Sequence, residues 1–241
     1  MEGFTYQNIF DTKGIEYIFV ILFLTVLIPF WLLLNRRSKK ASLVKEAFAI
    51  SLDSLRIPRG VFFSRNHTWM HMNKSGSAKV GLDDMLMHAA GQVNIDFKVG
   101  SDSPVIKGEL IAEIEQGGKK LKILSPVSGE VKRTNTSLLE HPELMNNHPF
   151  TEGWILEVEP SQWMKETRTC TLGERARSWM NSELGRFRDF VLSSSASGDP
   201  TRPMAVLQDG GELMDHTLQK LPPEMWKDFQ DNFLSIDQQN Q

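Results

Sequence analysis

The sequence predicts a mainly β domain, a small sandwich or barrel, with one N-terminal transmembrane helix before it and C-terminal α-helices after it. Three observations lead there. Residues 61–160 alternate short β-rich runs with turn residues. Residues 17–34 hold 18 amino acids without a charge. From Ser161 onward, apolar residues recur at helical spacing.

The uncharged run YIFVILFLTVLIPFWLLL, taken as a helix, would extend about 27 Å, near the hydrocarbon thickness of a bilayer. Acidic residues and Lys13 precede it, while Arg36, Arg37, Lys39 and Lys40 follow it. That order is the reverse of a cleaved signal peptide. It predicts a single-pass inner-membrane protein with residues 1–16 outside the cytoplasm and the main domain inside. Residues 35–60 read as a basic juxtamembrane helix and linker, with Leu43, Val44, Ala47, Phe48, Leu52 and Leu55 on one face.

Within residues 61–160 the expected strands are HTWMHM, SAKVGL, IDFKV, PVIKGELIAEIE, KLKIL, GEVKRT and GWILEVE. Along Leu110–Glu115, Leu110, Ala112 and Ile114 alternate with Ile111, Glu113 and Glu115. Two helical pieces interrupt the strands, at Asp83–Ala90 and around Leu138–Asn146, the first capped by Asp83 or Asp84. Gly117-Gly118 is suited to a two-residue hairpin turn, because glycine accepts positive φ at both positions.

Residues 161–192 predict an amphipathic helix. Thr171 and Glu174 have capping-box spacing, and Leu172, Ala176, Trp179, Met180, Leu184, Phe187 and Val191 form one stripe. That stripe requires a cover: the β domain, another protein or the membrane surface. Residues 193–204 have linker composition. Residues 205–241 form an acidic tail with apolar spacing from Leu213 to Phe233, suggesting short helices and a partner-binding segment.

Bulk composition excludes several classes. Twenty-seven basic against 30 acidic residues give a net charge of −3, so nothing points to nucleic acid. Cys170 is the only cysteine, which forbids an internal disulfide. His67 and His71, four apart, would share a strand face but lack a third metal ligand. Ser125 and Ser128 have no positioned base, so no catalytic constellation is present and the chain does not read as an enzyme.

An ordered set of motifs carries a family resemblance. His67-Thr68-Trp69, Val80-Gly81-Leu82-Asp83-Asp84, Ser125-Pro126-Val127-Ser128-Gly129-Glu130-Val131, Pro142-Glu143-Leu144-Met145-Asn146 and Glu152-Gly153-Trp154 occur in turn. Together they make about 95 of 241 residues resemble the glycine cleavage H protein. The resemblance implies a barrel-sandwich hybrid whose hairpin tip presents a lipoylated lysine. Counted back from Ser125, that position falls on Gly118; Lys119, one residue later, is the candidate attachment amine. A one-residue slip on a strand turns a side chain to the opposite face. The leading expectation is therefore a membrane-tethered adaptor without lipoate, binding the bilayer through residues 17–34 and a protein through the β domain and C-terminal helices. The alternative is an anchored lipoyl carrier for aminomethyl transfer using Lys119, with lipoate as cofactor. A second alternative is a membrane-fusion or efflux adaptor, which also joins one membrane helix to a lipoyl-like domain.

Overall fold

Two sheets build the domain, and both follow from the alternation read above. The computed structural model describes residues 17–31, 50–195 and 213–235. The larger sheet has the order β1-β2-β3-β9-β8-β5, with β1 Phe62–Phe63, β2 Thr68–Met72, β3 Ala78–Leu82, β5 Pro104–Val105, β8 Gly129–Thr134 and β9 Trp154–Pro160. The smaller sheet is β4-β6-β7, from Asn94–Phe97, Leu110–Gln116 and Lys119–Leu124. All pairings are antiparallel. Val80, Ile111, Ile114, Leu121, Ile123, Val131 and Leu156 are buried in the core.

The expected strand at 104–115 is split by a turn, with Glu109 accepting the Ile106 N–H at 2.8 Å. Register also shifts between Leu110 and Ala112, so Ile111 and Ala112 are both buried and the strict alternation fails there. The two helical pieces resolve into α2 (Asp84–Ala90), α3 (Ser137–Glu140) and α4 (Leu144–Asn147). Asp83 caps α2, accepting from Leu86 N–H at 2.8 Å. At the other end of α2, the Asn146 amide donates to the carbonyls of Met87 and Gly91. That bond gives the PELMN motif a structural purpose.

The transmembrane expectation is overturned. Helix α1 covers residues 17–31, about 22 Å at helical rise. Among the described residues, no helix is long and apolar enough to cross a membrane. Residues 1–16, 32–49, 196–212 and 236–241 lie outside the described residues, and with them the basic cluster and most of the proposed juxtamembrane helix and linker. Residues 52–54, which the helical reading included, form a turn. By chain contacts, residues 1–48 and 49–241 are separate units, and α1 belongs to the first.

In the second unit, α5 (Trp163–Glu166) and a short 3-10 turn (Thr167–Thr169) lead to α6 (Glu174–Ser195). The capping box does not form, because Thr171 pairs with Phe63 as a bridge to β1. Of the expected stripe, Ala176, Met180, Leu184, Phe187 and Val191 are buried, while Leu172 is exposed. The cover is the domain's own chain. The tail folds as α7 (Thr217–Lys220), α8 (Pro223–Phe229) and a π-helical turn (Gln230–Leu234), and its Phe229 and Phe233 meet Phe187 edge-on at 5.6 and 6.0 Å.

Candidate functional site

The β6–β7 hairpin closes as its sequence requires. Gln116 pairs with Lys119, leaving Gly117 and Gly118 as the two turn residues at φ +57° and +80°. A Cβ added at either glycine would meet nothing within 4 Å, so the tip projects into open space.

Lys119 and Lys120 leave this turn on opposite faces, as adjacent strand residues must. Lys120 lies 3.6 and 3.7 Å from Glu113 and Glu115. The Lys119 amine turns instead to the tail. Its Nζ donates to the carbonyls of Gln219 at 2.7 Å and Leu221 at 3.0 Å, and lies 5.0 Å from the centre of the Trp226 ring. These are the carbonyls left without helical partners where α7 ends, a favoured place for a lysine. Partial burial lowers the Lys119 pKa from its ordinary value.

Farther along the edge strand β7, the Gln230 side chain behaves like a strand segment. It accepts the Lys122 N–H at 2.6 Å and donates to the Lys122 carbonyl at 3.2 Å. The edge of the small sheet is thereby covered by the tail. A cavity of about 660 Å³ remains between hairpin and tail, lined by Lys119, Lys120, Lys122, Trp226, Lys227 and Asp231 among others.

Beneath the same tail sits a buried charge. His67 adopts φ +57° in the turn before β2, so it is not a strand neighbour of the exposed His71, and the shared-face reading fails. Its Nδ1 lies 2.7 Å from Asp83, and its Nε2 lies 3.7 Å from Glu183, within ion-pair range but beyond a hydrogen bond. Burial alone would lower the His67 pKa; the Asp83 and Glu183 carboxylates outweigh it and raise the value to about 9. Trp179 and Phe233 lie beside the ring at 5.4 and 6.1 Å. Among the described residues, no group of three histidine, cysteine or acidic side chains could hold a metal.

The SPVSGEV run is structural in the same sense. Ser125 Oγ donates to the Val127 carbonyl at 2.7 Å, and Ser128 is held through both its N–H and its Oγ by buried Glu166. Gly129 is obligatory, because a Cβ there would fall 2.1 Å from the Glu159 carbonyl oxygen. Glu166 and Glu183 were missed in the sequence; both stand outside the motifs they complete, and only their place on otherwise polar helical faces could have hinted at them.

With this geometry in view, the comparisons are specific. The family model described as glycine cleavage H-protein matches residues 61–182. A glycine cleavage system H protein of Rubrobacter xylanophilus is 37% identical over 106 residues, 44% of this chain and 83% of that protein. The mitochondrial glycine cleavage system H protein 3 of Arabidopsis thaliana is 32% identical over 115 residues, 48% of this chain and 69% of its own. A crystal structure of a glycine cleavage system H protein from Mycobacterium marinum aligns with a TM-score of 0.40 at 22% identity, over 44% of this chain and 87% of that one. On the matched span and these identities, the chain belongs to the glycine cleavage H-protein family.

Proposed function

We propose that this chain is a lipoyl carrier of the H-protein type, with Lys119 as the attachment amine and the C-terminal tail as a cover over it. The observation that carries this reading is the amine one residue from an open two-glycine tip, in a domain whose relatives are glycine cleavage H proteins. Membership in that family supports the carrier over the inert adaptor that the sequence alone favoured.

The residues present fit a lipoyl group. Lys119 supplies the amine, and the open space around Gly117 and Gly118 would let an arm leave the surface. When attached, lipoate supplies a dithiol that carries an aminomethyl group between partner proteins. Everything else falls to the chain itself. Gly117-Gly118 sets the tip, the Gln116–Lys119 pair fixes the direction of the lysine, and Gln219 and Leu221 hold its ammonium protons through their carbonyls. Acylation needs the neutral amine free of those carbonyls, so the tail's hold on Lys119 must open first.

A second reading has its own support. Counted back from Ser125, the family's lysine position is expected at Gly118, and the Lys119 amine already has two protein acceptors. That favours an unmodified adaptor of the same fold, in which Lys119 only fastens the tail. Incubation of the full chain with a lipoate ligase, ATP and lipoate, followed by peptide mapping, separates the two. Lipoyl on Lys119, absent in Lys119→Arg, supports the carrier; an unmodified chain beside a lipoylated control H protein supports the adaptor.

A further inference from the structure

On the side of the domain bearing the β1–β2 turn lies a second cavity, about 570 Å³, to which the carrier chemistry assigns nothing. Four cationic side chains line it from four different places in the chain: Arg65 before β2, Lys107 in the turn between β5 and β6, Arg168 in the 3-10 turn and Arg175 in the first turn of α6. Among the described residues, no carboxylate lines it. Of the acids near in sequence, Glu166 is engaged by Ser128 and Glu109 by the Ile106 N–H, and Glu174 is not among the lining residues. Among the described residues, Arg65, Arg168 and Arg175 form no ion pair and no side-chain hydrogen bond, although eleven other arginine and lysine side chains each find one or the other.

Convergence of like charge with no counter-charge is unfavourable in an empty recess and favourable around an anion. One member of the cluster, Lys107, is also held in place. Lys107 donates its backbone N–H to Ser128 Oγ at 2.9 Å and its amine to Thr169 Oγ1 at 3.1 Å, so the ammonium is fixed at the rim of the cavity. Three guanidiniums present planar forks, each able to take two oxygens of one tetrahedral anion. A single carboxylate would occupy one fork and leave the others unmatched; a phosphate or diphosphate offers oxygens to several. Among the described residues, no aromatic side chain lines the recess for base stacking, which argues against single-stranded nucleic acid.

We infer that the cavity lined by Arg65, Lys107, Arg168 and Arg175 is a binding site for a small molecule bearing a phosphate or diphosphate group. The inference is independent of whether Lys119 is ever modified.

Calorimetric titration of the full chain with inorganic pyrophosphate tests it. One saturable site is expected, weakening as salt rises, with affinity falling at least about tenfold in Arg168→Ala/Arg175→Ala and staying unchanged in Arg188→Ala, an exposed arginine of α6 outside the cavity. The charge-conserving Arg168→Lys/Arg175→Lys pair should also bind more weakly, because the forks are lost while the charge remains. Unchanged thermal melts would establish that the variants fold. Three outcomes overturn the inference: no saturable binding at millimolar pyrophosphate, equal weakening by Arg188→Ala, or full affinity in the lysine pair, which would reduce the effect to diffuse surface charge. Competition by polyglutamate as strong as by pyrophosphate would likewise assign the site to acidic peptide rather than to phosphate.

Discussion

The tail touches the β domain near His67 and again near Lys119, and the two contacts differ in kind. At His67 an imidazolium is sealed between Asp83 and Glu183 and roofed by Phe233, with the ring only 1% exposed. At Lys119 the contacts are two hydrogen bonds and one ring face, at a hairpin whose tip stands in solvent. Opening the first contact exposes a charge cluster and an aromatic core; opening the second gives water two carbonyls and an amine it solvates well. The tail thus has a fixed end and a releasable end, and the releasable end covers Lys119, the amine proposed to carry a prosthetic group.

The largest test of this contrast is Phe233→Ala. Phe233 stacks on Phe229 at 4.7 Å and meets Phe187, so truncation should destabilise the domain by about 3–5 kcal/mol in urea unfolding. A change below 1 kcal/mol would mean the fixed end is not fixed.

Next in size is a pH effect. His67 has a folded pKa of about 9 against an ordinary value of 6.5, so its contribution is fully present below pH 6.5 and disappears as pH rises through 9. The difference corresponds to about 3 kcal/mol. His88, raised to about 9 chiefly by its hydrogen bond to Asp215 and also by Asp84, titrates in the same window, so the His67→Asn variant is needed to isolate the first group. Urea midpoints measured from pH 6 to pH 10 should fall in the parent chain and fall less in that variant.

Gly118→Lys sharpens the comparison at the tip. Its side chain would enter open space, but at φ +80° a residue with a Cβ is strained, and a loss of about 1–2 kcal/mol is expected. If an amine at that position is what lipoate ligase requires, this variant should be modified faster than the parent chain.

The smallest effect belongs to Lys119→Ala. A half-buried amine bonded to two terminal carbonyls should contribute about 1 kcal/mol or less to global stability. Hydrogen exchange should nevertheless accelerate at residues 218–222, while the amides around His67 stay protected. Equal acceleration at both ends would erase the distinction between them.

How much of this was legible in the sequence depends on the range of the interaction. Local rules found the Gly117-Gly118 turn, an aspartate cap at Asp83 or Asp84 and nearly every strand, because glycine at positive φ, an Asx cap and two-residue alternation need only neighbours. The Thr171–Glu174 capping box failed because Thr171 is recruited by Phe63, more than a hundred positions away. The same limit hid the Lys119–Leu221 and His67–Glu183 contacts: each joins the domain to a later helix, and no local pattern announces such a pair. The apolar run at 17–34 misled for a different reason. Uncharged length was taken as a span, whereas among the described residues no helix is long and apolar enough to cross a membrane.

Residue-resolved mass spectrometry on the full chain from its own host, grown with ample lipoate, bears most directly on the carrier assignment. The account predicts a lipoyl amide on the Lys119 Nζ. A bare Lys119 in cells whose other lipoyl proteins are fully modified would contradict it, and would leave this lysine as a fastener for the tail alone.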